Sequence, residues 1–238
     1  MIQKKPSHFS VVQVKVCISA LGAAVGILLA VATTAISAAT LSKRNCNITE
    51  AISLETEEKE NSLLVDTGNY AQAVARLKKI KECHQLNYET LVLLGKGYQG
   101  VNAISSAKQN YLEALRLNKR GTSALRALGS VYGREGNLKK AIEQYSLAIE
   151  IDPKDFKSYS DRGVAKGALG QLNESINDFN KSIEINPRYA DAYRNRGIAK
   201  EAMKDMTGAC SDWSIAKALG QDGPALWHDA QCKRNIVK

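Results

Sequence analysis

Between Tyr88 and Gly223 the chain repeats one pattern of apolar and polar positions. Its clearest copy runs from Thr122 to Asp155, where apolar and small residues recur at helical spacing first as Leu125, Leu128, Gly129 and Tyr132 and then as Ala141, Tyr145, Ala148 and Ile149. Gly136 and Asn137 punctuate the middle and Pro153 closes the end, so the stretch predicts two helices joined by a tight turn. Steps of 34 residues from Gly129 land on Gly95, Gly163 and Gly197 without insertion or deletion. The same steps align Leu91, Leu125, Tyr159 and Tyr193 before the glycine. They align Ala107, Ala141, Ser175 and Ala209 after it, then the rings of Tyr111, Tyr145, Phe179 and Trp213, then Ala114, Ala148, Ser182 and Ala216. A glycine permits close approach of two helices, and the ring is expected to fill the space against the next hairpin.

These columns resemble the tetratricopeptide repeat family in period and residue type. The resemblance implies an all-α fold, a right-handed superhelical solenoid of helical hairpins, with repeats at 88–121, 122–155, 156–189 and 190–223. One further step back puts Gly68, Tyr70 and Ala73 in register, while Glu57, Glu60 and Asn61 stand where two apolar residues and a glycine belong. Residues 54–87 are therefore expected to form a degenerate, polar-faced capping repeat, as solenoid ends require. At the other end, Pro224 at a first helical position and the apolar Leu226, Trp227 and Ala230 predict a capping helix over 224–238. Within the array, Lys119 replaces a terminal proline. Arg162 and Arg196 precede the glycine where Leu94 and Leu128 stand in the earlier repeats, and Lys166 and Lys200 replace the tyrosine seen at Tyr98 and Tyr132. The expectation for these four is packing of long stems along apolar surface with the charge in water.

The N-terminal pattern is different. After a basic segment, 1–15, come 27 residues without a charge, 16–42, VCISALGAAVGILLAVATTAISAATLS. As a helix this run would be ~40 Å long against a ~30 Å hydrocarbon core, so it predicts a transmembrane helix followed by a juxtamembrane linker, 43–53. The competing reading is a secretory signal cleaved near the small residues Ser37 and Ala39. Lys4, Lys5 and Lys15 before the run outnumber Lys43 and Arg44 after it, which directs the repeat domain to the non-cytoplasmic side.

Composition adds mostly exclusions. The formal net charge is +9, but those five residues supply +5 of it and the remainder is scattered, which argues against a nucleic-acid partner. His8, His84 and His228 have no second ligand at helical spacing, so no metal site is expected. The glycine-rich GKGYQG, Gly95–Gly100, falls in phase with a first helix rather than a phosphate-cradling loop, so neither a cofactor nor catalysis is expected. Of the five cysteines, Cys210 and Cys232 fall in a last-repeat helix and in the cap that should cover it. A disulfide between them suits an oxidising compartment, and a pair of buried thiols is the alternative.

The resemblance also implies that the first helices line a concave groove holding a partner's peptide or helix. Carried over column by column, the groove residues are Val92, Lys96 and Gln99, then Arg126, Ser130 and Arg134, then Lys157, Ser160 and Val164, then Arg194, Ile198 and Glu201. Their basic excess suits an acidic or C-terminal carboxylate segment. The lysine and asparagine combination of chaperone-binding members is missing, since Ser130 and Val164 stand where clamp residues are needed. The expected function is a membrane-anchored protein-interaction scaffold; the alternative is a secreted or periplasmic repeat protein with a structural role.

Overall fold

The computed structural model describes residues 54–83, 85–221 and 232. Ten α-helices occur among them, in five antiparallel hairpins: α1 Leu54–Asp66 with α2 Tyr70–Cys83, α3 Tyr88–Gly100 with α4 Ile104–Leu117, α5 Thr122–Arg134 with α6 Leu138–Ile151, α7 Phe156–Ala168 with α8 Leu172–Ile185, and α9 Ala190–Ala202 with α10 Met206–Ala218. Side chains set several starts. Asn87 accepts from the Thr90 N–H, Asn137 from Lys140, Asp155 from Lys157 and Ser158, and Asp205 from Gly208, each satisfying an orphan donor of the first turn. The turn inside each hairpin needs one residue in the left-handed region, and a single column supplies it: Gly68, Asn102, Gly136, Gly170 and Lys204.

The repeated glycine explains the hairpin itself. A Cβ on Gly129 would stand 2.6 Å from Cε1 of Tyr145, and one on Gly163 would stand 2.9 Å from Cε1 of Phe179; Gly95 against Tyr111 and Gly197 against Trp213 are equally tight. The ring thus lies on the glycine of its own hairpin, and it also meets the next one as expected: Tyr111 shares a core with Ala124, Leu128 and Val131, and Tyr145 with Ala165. Around it the small columns are sealed, with Ala107, Ala141, Ala148 and Ala209 fully buried. Where the third repeat puts serine in those columns, the hydroxyl donates to a backbone carbonyl: Ser175 to Gly163 at 2.7 Å and Ser182 to Phe156 at 2.8 Å.

Each second helix packs on its own first helix and on the first helix of the next hairpin, and consecutive first helices also touch: α1 on α3, α3 on α5, α5 on α7, α7 on α9. One wall of this α-solenoid is therefore made of first helices alone. The opening hairpin docks through Glu58, whose carboxylate accepts from Asn87 at 2.8 Å and from the Thr90 hydroxyl. Gly97 and Gly100 lie against Val74 and Tyr70 of α2, so the glycine-rich stretch is helix packed on helix. Asn61, in the glycine column, is buried.

No helix among the described residues is long and apolar enough to cross a membrane. The expected span at 16–42, its flanks at 1–15 and 43–53, and the C-terminal cap, Cys232 excepted, lie outside the described residues.

Candidate functional site

The wall of first helices carries two chemically different stretches. In its N-terminal half Lys96 on α3, Arg126 on α5 and Lys157 on α7 approach one another. Burial, then the charges of Arg126 and Lys157, hold the Lys96 ammonium below the usual lysine range, with Asp66 opposing. Arg126 is engaged in turn, its guanidinium 3.6 Å from Asp161 and 3.9 Å from Asp155. Asp161 is the acid in this region that the groove columns did not include; burial raises its carboxyl above the usual range while Arg126 pulls it back. Exposed cationic positions remain at Lys96 and Lys157. Beside Lys96 a cleft of ≈ 360 Å³ opens between Glu58, Tyr88, Glu89, Val92 and Ser123.

In the C-terminal half the character reverses. Val164 and Ile198 are 48% and 43% exposed, at the column occupied by Lys96 and Ser130 in the earlier repeats. Between them lies a cleft of ≈ 310 Å³ whose lining includes Leu172, Phe179, Asn195 and Ala199. Leu169 and Met203, at the ends of α7 and α9, are exposed as well.

Several expected groove residues are placed differently. Ser160 is 2% exposed and Val92 5%, because their column runs in the seam where consecutive first helices touch. From the same column only the long arginines emerge: Arg126 and Arg194 are half-buried, and Arg194 donates to Asn195 at 3.3 Å. Gln99, Ser130 and Arg134 are tied into one junction between α3 and α5. The Tyr111 hydroxyl donates to Gln99 at 2.5 Å, Gln99 donates to Ser130 at 3.5 Å, and Arg134 donates to the Gln99 carbonyl at 3.4 Å and to Asn102 at 2.7 Å. Glu201 is half-buried near the end of α9.

The largest correction concerns the basic residues before and after the glycine in the last two repeats. Their charges are not left in water. Arg162 forks onto Asp178 with bonds of 2.9 and 2.7 Å, Lys166 adds a contact of 2.7 Å, and Arg162 also donates to Ser146 of the preceding hairpin at 3.0 Å. Arg196 does the same to Asp212 at 2.8 and 2.6 Å, with Lys200 at 2.9 Å and Asn180 of the preceding hairpin at 2.6 Å. Both carboxylates are buried. A buried carboxylate is retained only when paired and hydrogen-bonded, and each of these meets that condition. The signal was present in the columns: where Leu94 and Leu128 give way to Arg162 and Arg196, Asn110 and Gln144 give way in step to Asp178 and Asp212.

Cys210 and Cys232 stand with Cα atoms 5.6 Å apart and are joined in the structure. Among the described residues no three acidic, histidine or cysteine side chains gather where they could hold a metal ion.

The family profile described as TPR repeat matches residues 134–170 and 165–204. Residues 134–204 are tetratricopeptide repeats. The helical array is similar in fold to solved structures of MamA. One, titled "Crystal structure of MamA", has TM-score 0.57 at 23% identity, covering 67% of this chain and 93% of that one. Another, MamA 41-end from Desulfovibrio magneticus RS-1, has TM-score 0.59 at 18% identity, covering 71% and 97%. No curated protein matches the sequence.

Proposed function

We propose that the chain is a membrane-anchored protein-interaction scaffold, tethered through 16–42, whose tetratricopeptide array binds a partner along the wall of first helices. The observation that supports this most is the composition of that wall. It exposes lysines in one half and, in the other, two branched apolar side chains at the rim of one cleft, a patch rather than scattered single residues. Solenoids present such extended faces for binding, and we propose binding rather than catalysis as the role of this one. The joined Cys210 and Cys232 are in keeping with a non-cytoplasmic repeat domain, because disulfides persist in oxidising compartments.

Affinity capture from native membranes with the full chain as bait tests the binding face. Partners should be lost with Lys157→Glu on the first-helix wall and kept with Lys139→Glu on the exposed side of α6. Loss with both or with neither contradicts the assignment. Retention of the chain in the membrane pellet after alkaline extraction tests the tether. A mature N-terminus near Thr40 would instead favour the secreted form, for which Ser37 and Ala39 offer the processing site.

A further inference from the structure

We infer that the Cys210–Cys232 disulfide is a redox latch: joined, it holds the end of the chain on α10 and closes the array; reduced by a dithiol, it lets that end go and uncovers α10. The latch is independent of what the wall of first helices binds.

The place of Cys210 in the repeat carries the argument. Steps of 34 residues back from it reach Ile176, Ile142, Lys108 and Val74. In three of those hairpins the side chain in this column meets the first helix of the hairpin that follows. A Cβ on Gly97 would stand 2.9 Å from Cγ2 of Val74, the Lys108 ammonium lies 4.6 Å over the Tyr132 ring, and Ile142 packs on the core that holds Ala165. Gly97 and Ala165 each lie 23 residues beyond their partner. Cys232 lies 22 beyond Cys210, with Cα atoms 5.6 Å apart. A packing contact at three earlier junctions is therefore a covalent bond at the last.

That last junction has also given up an apolar anchor. Two turns along α10 from Cys210, on the same line of the helix, Lys217 is exposed where Leu115, Ile149 and Ile183 are half-buried or buried. Among the described residues beyond α10, Gln221 is tied to Asp191 by a hydrogen bond and Cys232 by the disulfide. Cutting the disulfide thus removes the bond that stands in for packing.

The bond is also within reach of a reductant. Cys210 and Cys232 are half-buried rather than sealed, and disulfides exposed to solvent are the labile, regulatory ones. The reductant is a dithiol, of the class carried by thiol–disulfide oxidoreductases. Its thiolate attacks one sulfur of the pair, the sulfur–sulfur bond breaks, and the other cysteine leaves as a thiolate that takes up a proton. The second thiol of the reductant then displaces the first cysteine from the mixed disulfide. The protein ends with two thiols, having gained two electrons and two protons, and the dithiol becomes a disulfide.

The test is hydrogen–deuterium exchange on the full chain in detergent before and after treatment with dithiothreitol, with free thiols counted by mass after alkylation. Reduction should add two thiols without denaturant and speed exchange of the α10 amides about tenfold, with α3 to α6 unchanged. Reoxidation should restore the protection. Cys232→Ser, or Cys210→Ala if that variant fails to fold, should exchange fast at α10 from the start and gain nothing from dithiothreitol. The inference is overturned if the pair resists dithiothreitol until the chain is denatured, or if reduction leaves α10 as protected as before. It is equally overturned if exchange rises throughout the array, or if α10 of the serine variant still responds to the reductant.

Discussion

Asp178 is where the account of the array is most exposed to measurement. Replacing it with alanine removes a carboxylate that is 7% exposed and receives two bonds from Arg162 and one contact from Lys166, leaving two cations 18% and 19% exposed. Removing one partner of a buried pair costs about 3–5 kcal/mol, and the partial exposure of these cations places Asp178→Ala at the low end, about 3 kcal/mol. For an array of this size that is a fall of about 6–12 °C in midpoint. The second repeat shows the alternative solution, with Leu128, Tyr132 and Gln144 in the same columns. The triple change Arg162→Leu, Lys166→Tyr and Asp178→Gln should therefore cost less than about 1 kcal/mol, since a well-packed apolar replacement of an ion pair is close to neutral. Urea unfolding followed by far-ultraviolet circular dichroism, on the full chain, separates the two. A loss below about 1 kcal/mol for Asp178→Ala, or a triple variant as damaged as the single, would refute the claim that this cluster is a closed, mutually satisfied unit.

Three further outcomes follow from the same geometry. Gly129→Ala drives a methyl group to 2.6 Å from the Tyr145 ring and should destabilise by about 1–3 kcal/mol, whereas Gly133→Ala meets no neighbour within 4 Å and should stabilise by about 0.8–1 kcal/mol; thermal melts of the pair decide. Asp161 titrates higher in the folded chain than its ordinary 3.8, so its folded form binds more protons and this group's contribution to stability is full at low pH and falls as pH rises through its raised value. Asp161→Asn should flatten that part of a stability–pH profile, and an unchanged slope would count against the burial of this acid. Lys204 occupies the left-handed turn column at φ 67, where three of the other four residues are glycine, so Lys204→Gly should raise stability by about 0.5–1 kcal/mol in denaturant titration.

The repeat was legible because each column answers a local demand that recurs every 34 residues: glycine under a ring, alanine in the seam, a left-handed residue in the turn. The site was less legible, because it depends on what consecutive hairpins do to one another. Ser160 and Arg126 share a column, and only the hairpin-to-hairpin seam decides that the short one is buried while the long one emerges. Asp161 lies outside the groove columns, and only the packing of α5 on α7 brings Arg126 beside it. The Arg162–Asp178 pairing crosses from a first to a second helix at a separation of 16 residues, well beyond the three or four residues at which side chains on one helix meet.

The claim that the first-helix wall is the binding face is tested most directly by photo-crosslinking in native membranes from single positions. A photoreactive side chain at Val164 or Ile198, both exposed on that wall, should join a partner protein, while the same group at Lys139 on α6 should not. Crosslinks from Lys139 with none from Val164 or Ile198 would place the interface on the opposite face and contradict the account.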